Sequence, residues 1–289
     1  MKNILILGGT GFLGRNFIKK FHKTYNLTVL IRENKKNKIF LKDKEKIKCK
    51  RIYFQNYNEL KKKLKKKNFS LVLNLATHYD KGDGYQECKD IINSNIVYPS
   101  LILSIIDLER INKIINVGSM LEHKDKRKYN PYNFYAASKV AFQNIIYFYK
   151  KKFPKILFYN LKFFETYGFF DKREKILNVI KKNYQKNLTV RLDSKKLKLN
   201  FLNINDIMEA IIILINHRIQ TGEYLIKAKN YTNIESLIKR FNKSSKKTIK
   251  YSFLNKKISS FDYKIKKLPF WKQHFSIENE FKEFMKNDY

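Results

Sequence analysis

At 289 residues the chain can bury a full core, and it fits one large domain or a large and a small one closely joined. Its 62 Lys+Arg against 25 Asp+Glu give a formal charge of +37. Crowding with Lys, Asn, Ile, Phe and Tyr and only 9 Gly and 4 Pro is the residue set of an AT-rich coding sequence, so nucleic acid is disfavoured as a partner despite that charge. Cys49 and Cys88 stand far apart with no histidine cluster, which excludes a disulfide framework and a zinc site, and no apolar run approaches the ~20 residues needed to cross a bilayer.

In chain order, NILIL at 3–7 reads as a first strand. No apolar leader or cleavage site precedes it, so a reducing cytoplasm is the expected location. GGTGFLG at 8–14 follows this strand and opens a helix over 12–23. Gly8, Gly11 and Gly14 let the backbone turn tightly, approach a pyrophosphate and bring helix against strand, while the helix N-terminus offers amide donors. Dinucleotide binding is therefore expected, with Gly8, Thr10, Gly11, Phe12, Leu13 and Gly14 forming the loop. A second strand at 27–31 ends in VLIREN at 29–34. An NAD-selective chain carries an acid there, whereas a 2′-phosphate asks for a cation. Arg32, with Lys35 or Lys36 beside it, favours NADP(H) over NAD(H), and Glu33 is the NAD-selecting alternative if the register slips by one.

Further strands are expected at 51–54, 71–75, 114–117 and 156–161, with helices over 57–67, 89–108 and 134–152. The lysine run ELKKKLKKKN at 59–68 is the solvated face of one of them. Near-continuous apolar strands separated by helices predict an α/β fold: a doubly wound, parallel Rossmann sheet covered on both faces. After Gly168 the elements become shorter and more polar, apart from the apolar helix DIMEAIIILINH at 206–217, which is expected to return onto the first domain. The expected division is a dinucleotide-binding domain over 1–165 plus about 199–228, and a smaller C-terminal α/β substrate cap over 166–198 and 229–289.

FYAASK at 134–139 puts Tyr135 four residues ahead of Lys139, on one helix face. A nearby ammonium favours the phenolate, so the pair predicts a tyrosine whose pKa is lowered toward neutrality and which exchanges protons with a substrate.

Taken together, GxxGxxG, LVLNLAT at 71–77, Asn95 in SNIVYPS, NVGS at 116–119, YxxxK, FFETYG at 163–168 and NFLNINDIMEAI at 200–211 resemble the extended short-chain dehydrogenase/reductase superfamily. Its sugar-nucleotide-modifying branch is the nearest in look. The resemblance runs over nearly the whole chain and is weakest beyond about 240. It implies Ser119, Tyr135 and Lys139 as the catalytic group, with Ser119 holding the substrate oxygen and Lys139 also bonding the nicotinamide ribose. It further implies Leu75 and Ala76 beside the cofactor, and a homodimer formed through the helices at 89–108 and 134–152.

Within that branch, dehydratases carry an Asp-Glu pair immediately after their catalytic threonine, and fucose-forming epimerase-reductases carry a cysteine two residues past the serine. Here Met120 and Leu121 follow Ser119, which disfavours both. Only 16 positions separate Ser119 from Tyr135 (119 to 135), a compact stretch similar to the 4-ketoreductases of the CDP-abequose-synthase-like group. Glu165 and DKREK at 171–175 also resemble that group.

The expected activity is thus NADPH-dependent reduction of the C4 ketone of a nucleotide-linked 4-keto-deoxyhexose. A 4-epimerase using bound NAD and a non-catalytic NADP- or RNA-binding Rossmann protein are the alternatives. His123, Glu165, Arg173 and Arg191 are candidate substrate contacts, against the competing readings of a solvated histidine, a carboxylate serving backbone amides and surface arginines. Asp206 is read as a helix N-cap. Trp271 is read as packing the cap.

Overall fold

The structure, a computed structural model, describes residues 1–32, 47–65, 67–261 and 263–286. Glu33, Lys35 and Lys36, on which part of the cofactor argument rests, lie outside the described residues. The first half alternates as expected: β1 (Asn3–Leu7), α1 (Phe12–Phe21), β2 (Asn26–Arg32), β3 (Lys50–Phe54), α2 (Tyr57–Leu64), β4 (Leu71–Asn74), α3 (Tyr85–Ile92), α4 (Tyr98–Ile105), β5 (Lys113–Val117), α5 (Phe134–Lys152) and β6 (Leu157–Lys162). The second half carries β7 (Glu165–Tyr167), α6 (Ile176–Gln185), β8 (Val190–Leu192), β9 (Lys198–Leu199), β10 (Phe201–Asn203), α7 (Ile204–Asn216), β11 (Gly222–Leu225), β12 (Thr232–Asn233), α8 (Ile234–Lys243), β13 (Tyr251–Phe253) and α9 (Ile277–Lys286).

The central sheet has seven strands in the order β11-β6-β5-β4-β1-β2-β3, every neighbouring pair parallel. Successive side chains leave a strand on opposite faces. Ile4 and Ile6 of β1 therefore enter one apolar cluster with α1 and α7, while Leu5 and Leu7 enter the other with α2, α4 and α5. The chain runs outward from β1 through β2 to β3, then returns to place β4 on the other side of β1. That reversal opens a crevice at the carboxyl ends of β1 and β4, the general ligand site of open α/β sheets.

A third cluster gathers Tyr167, Leu177, Ile180, Val190, Leu192, Phe201, Ile234, Leu237, Ile238, Phe241, Ile277, Phe281, Phe284 and others into a separate core. The helix expected over 89–108 is broken: α3 begins earlier, a π-helical turn follows over Asn93–Val97, and α4 stops at Ile105. Asp206 is not the N-cap of α7. Asn203 takes that role, its side chain accepting from the Asn205 amide, and Asp206 instead accepts from the amides of His274 and Phe275 at 2.9 and 3.2 Å. Trp271 donates to the Asp206 carbonyl at 2.8 Å and packs on the cluster beside α7, so it anchors the C-terminal segment to the central sheet's side rather than filling the third cluster.

Candidate active site

The turn from β1 to α1 is built so tightly that two of its glycines have no substitute. Gly8 holds φ at +77°, and a Cβ there would stand 2.4 Å from the Ala76 amide nitrogen. A Cβ on Gly14 would stand 2.3 Å from the Gly8 carbonyl oxygen. Gly11 differs: its nearest obstacle is Gly8 O at 3.3 Å, and no side chain caps α1, which starts from it. The open glycine and the uncapped first-turn amides fit a bound diphosphate, the group this loop was expected to hold. Leu75 and Ala76, where β4 gives way to loop, are buried directly under Gly8. Arg32 closes β2, exposed to solvent, its guanidinium 5.5 Å from the centre of the Tyr98 ring.

Three asparagines tie the floor of the crevice. Asn74, Asn116 and Asn160 are register partners on β4, β5 and β6, all buried. Asn74 Nδ2 donates to Asn116 Oδ1 at 2.8 Å, and Asn116 Nδ2 donates to Asn160 Oδ1 at 2.9 Å. Ser119 follows β5 and opens a single 3₁₀ turn, Met120–Glu122. Its hydroxyl accepts from the Leu121 amide at 3.2 Å, and the Glu122 carboxylate accepts from the Ser119 amide at 2.7 Å, a complete capping box.

Asn133 caps α5, and one turn into the helix Tyr135 and Lys139 both lie buried on the same face. Lys139 points inward: its Nζ donates to the Val117 carbonyl at 3.2 Å and sits 5.8 Å from the Tyr135 ring centre. Asn95 sits in the π-helical turn and clasps this region from below. It accepts from the His78 amide at 2.7 Å and donates to the His78 carbonyl and to Ser138, which in turn donates to the Tyr135 carbonyl at 2.6 Å. A π-turn at such a place is a familiar mark of function, because it re-aims one side chain without ending the helix.

The electrostatics differ from the expectation. Burial pushes the Tyr135 phenol up to about 12, with a hydrogen bond to Thr77 and the charge of Arg173 opposing, and Glu122 and Tyr79 adding to the rise. Burial also pulls Lys139 down to about 8, against the attraction of Glu122. The lysine is a turn away as expected, yet desolvation outweighs it, so Tyr135 is a protonated phenol near neutrality.

Sequence reasoning missed several walls of the site. Tyr79 meets the Tyr135 ring edge-on with centroids 4.9 Å apart, and Lys175 lies 4.4 Å over the Tyr79 ring. Glu165 is engaged by Lys175 at 3.2 Å, so its carboxylate serves a lysine rather than backbone amides. Arg173 forks onto Asp171 at 2.7 and 2.6 Å, bonds Thr166, and lies 4.4 Å over the ring of Phe12, joining the glycine loop to the segment leading into the cap.

His123 is neither solvated nor open to the crevice. It is buried, its ring stacked on Tyr263 at 4.5 Å and close to Tyr129, with Nε2 2.9 Å from Lys162 Nζ. Its ring contacts are therefore all made inside the protein, unlike the solvated histidine that was the competing reading. Arg191 is exposed on β8, beside β13 and apart from this cluster of contacts. Among the described residues no group of three or more His, Cys, Asp or Glu is placed to hold a metal ion.

Comparison with known proteins places this geometry. Residues 4–226 match the family described as NAD dependent epimerase/dehydratase. A CDP-abequose synthase of Yersinia pseudotuberculosis is 27% identical over 226 residues, covering 76% of this chain and 75% of the relative, and that of Salmonella muenchen is 23% identical over 253 residues, covering 85% and 83%. Among solved structures, UDP-glucuronic acid 4-epimerase from Bacillus cereus, bound to UDP-glucuronic acid and NAD, superposes with TM-score 0.82 at 17% identity over 98% of this chain and 99% of that one. dTDP-glucose 4,6-dehydratase from Bacillus anthracis with NAD gives 0.77 at 18% identity over 99% and 96%. The chain belongs to the NAD dependent epimerase/dehydratase family, and is an enzyme of the extended short-chain dehydrogenase/reductase type.

Proposed function

We propose that the protein reduces the C4 ketone of a nucleotide-linked 4-keto-deoxyhexose with NADPH, as a step in deoxysugar biosynthesis. The observation that carries this is the turn after Ser119. Met120 and Leu121 stand where 4,6-dehydratases carry an Asp-Glu pair, and Glu122, the one carboxylate of the turn, is committed to the Ser119 amide and to Lys162. Elimination of water therefore has no acid-base partner there, whereas ketone reduction needs only the Ser119–Tyr135–Lys139 group. The two CDP-abequose synthases among the relatives support a nucleotide-sugar substrate.

Reduced nicotinamide supplies the hydride when bound in the crevice. The Gly8–Gly14 loop and the uncapped amides of α1 hold the diphosphate, and Arg32 is the cation suited to a 2′-phosphate. Ser119 and Tyr135 hydrogen-bond the ketone oxygen, and Tyr135 gives it a proton as negative charge develops there. Lys139, one turn away, stabilises the phenolate left behind. Arg173, Glu165 and Lys175 line the approach from the cap and are the substrate contacts, with Arg191 proposed for the diphosphate.

The test is a panel of 4-keto nucleotide sugars assayed with NADPH and NADH. We expect net NADPH oxidation with at least one substrate, NADPH preferred, and a loss of about 10²–10⁴-fold in Tyr135→Phe. Interconversion of hexose nucleotides by protein that carries tightly bound NAD, without net NADPH use, would establish the 4-epimerase instead.

A further inference from the structure

Beneath the turn that carries Ser119 lies a buried charge cluster that the proposed reaction does not use. Glu122 and Lys162 are each 0% exposed. Lys162, the last residue of β6, meets Glu122 Oε2 at 2.7 Å, Glu223 Oε2 of β11 at 2.5 Å and His123 Nε2 at 2.9 Å. Glu223 in turn accepts from the hydroxyls of Tyr129 and Tyr147, both at 2.7 Å. Buried ion pairs of this kind are often no more stabilising than apolar residues of the same volume, so stability alone is a weak reason to keep one.

Glu122 reaches out of this cluster in the other direction. Its second oxygen, Oε1, accepts from the Ser119 amide at 2.7 Å, and a Cβ on Gly118 would come within 2.9 Å of that same oxygen and crowd it. Burial pushes the Glu122 pKa upward, opposed by Lys162 at Oε2 and by the Ser119 amide at Oε1.

We propose that Glu122 is a positioning residue of the active site: it fixes Ser119 through its amide and, anchored by Lys162, holds its carboxyl group under the turn that serves the Tyr135–Lys139 pair. The proposal rests on the catalytic assignment of Ser119, Tyr135 and Lys139. The charge of Glu122 supports the protonated forms of both Tyr135 and Lys139. The other groups facing the pair are Thr77 and Tyr79 after β4, Arg173 after β7 and the Val117 carbonyl of β5. Of these, Arg173 is the opposing charge, and it is held by Asp171.

Glu122→Gln separates the two tasks, because the amide oxygen still accepts from Ser119 while the charge is gone. In the full-length protein with NADPH and an accepted 4-keto nucleotide sugar, we expect kcat to fall about 10-fold with KM within about 2-fold, and the alkaline limb of kcat to move down by about one pH unit. The same direction is expected without substrate. With 3-fluorotyrosine at position 135, the fluorine resonance should titrate at lower pH in Glu122→Gln than in the parent protein.

Lys162 keeps its Glu223 partner in Glu122→Gln, and an unchanged urea midpoint in that variant guards against a folding defect. Unchanged kcat and unchanged fluorine midpoint in Glu122→Gln, with loss confined to Glu122→Ala, would overturn the proposal and reduce Glu122 to a cap of the turn. The fluorine titration needs no turnover, so a protein inactive on every ketosugar would refute the reductase reading while a shifted midpoint still upheld the role of Glu122.

Discussion

Lys139 shows what the site gives up for its chemistry. An ammonium enclosed by protein is disfavoured relative to the unfolded chain, which is why burial draws Lys139 from its ordinary 10.5 down to about 8. The sign follows: at neutral pH the group is charged in both states but is better solvated when unfolded, so it opposes folding. That opposition fades as pH rises from about 8 to about 10.5, where the folded form holds it neutral. Lys139→Met should therefore raise the free energy of unfolding at pH 7, by an amount on the order of 3 kcal/mol, while it abolishes turnover. Urea unfolding at pH 7 and pH 10 checks this, and the gain should shrink at the higher pH. A variant less stable at pH 7 would contradict it. Tyr135 follows the same physics in the opposite direction. Spacing in the sequence places its hydroxyl and the Lys139 ammonium on one face, but only the packing of Tyr79, Thr77 and the chain around them shows that desolvation wins.

The β4, β5 and β6 strand ends carry the site, and their asparagine ladder fixes them relative to one another. Because Asn116 both accepts from Asn74 and donates to Asn160, replacing it with a leucine leaves two buried polar groups without their partner. Asn116→Leu is expected to destabilise the protein by about 2–4 kcal/mol, read as a lower urea midpoint at an unchanged slope. Asn74 and Asn116 are visible in LVLNLAT and NVGS, but nothing local says that strand order brings them into register. The parallel sheet itself was legible, because buried strands are apolar throughout, and the glycine loop and the Tyr135–Lys139 turn were legible because local spacing fixes both. Helices α8 and α9 were not read, although Ile234, Leu237, Ile238 and Phe241 recur at helical spacing, and so do Ile277, Phe281 and Phe284. Polar residues between them masked that period. Glu122, His123 and Lys162 escaped because their meaning comes from contacts across 39 positions or more, and charged residues are ordinarily expected at the surface.

At the scale of the molecule, the glycine loop and α5 stand on the sheet side, and Glu165, Arg173 and Lys175 lead toward the third apolar cluster. The family resemblance also implies a homodimer, and Tyr85 of α3 and Phe148 of α5 are 81% and 59% exposed. We propose these two helices as the contact. Phe148→Glu should then sediment as a monomer that still binds NADPH, whereas an unchanged sedimentation coefficient would place the interface elsewhere. The proposed reduction makes a stronger demand, because in it hydride passes from a dinucleotide at the glycine loop to a sugar beside Tyr135. NADPH deuterated at nicotinamide C4, offered in both stereochemical forms with an accepted 4-keto nucleotide sugar, tests that demand most directly. One form should yield a product one mass unit heavier with deuterium bound to the sugar's C4; unlabelled product from both forms would contradict the account.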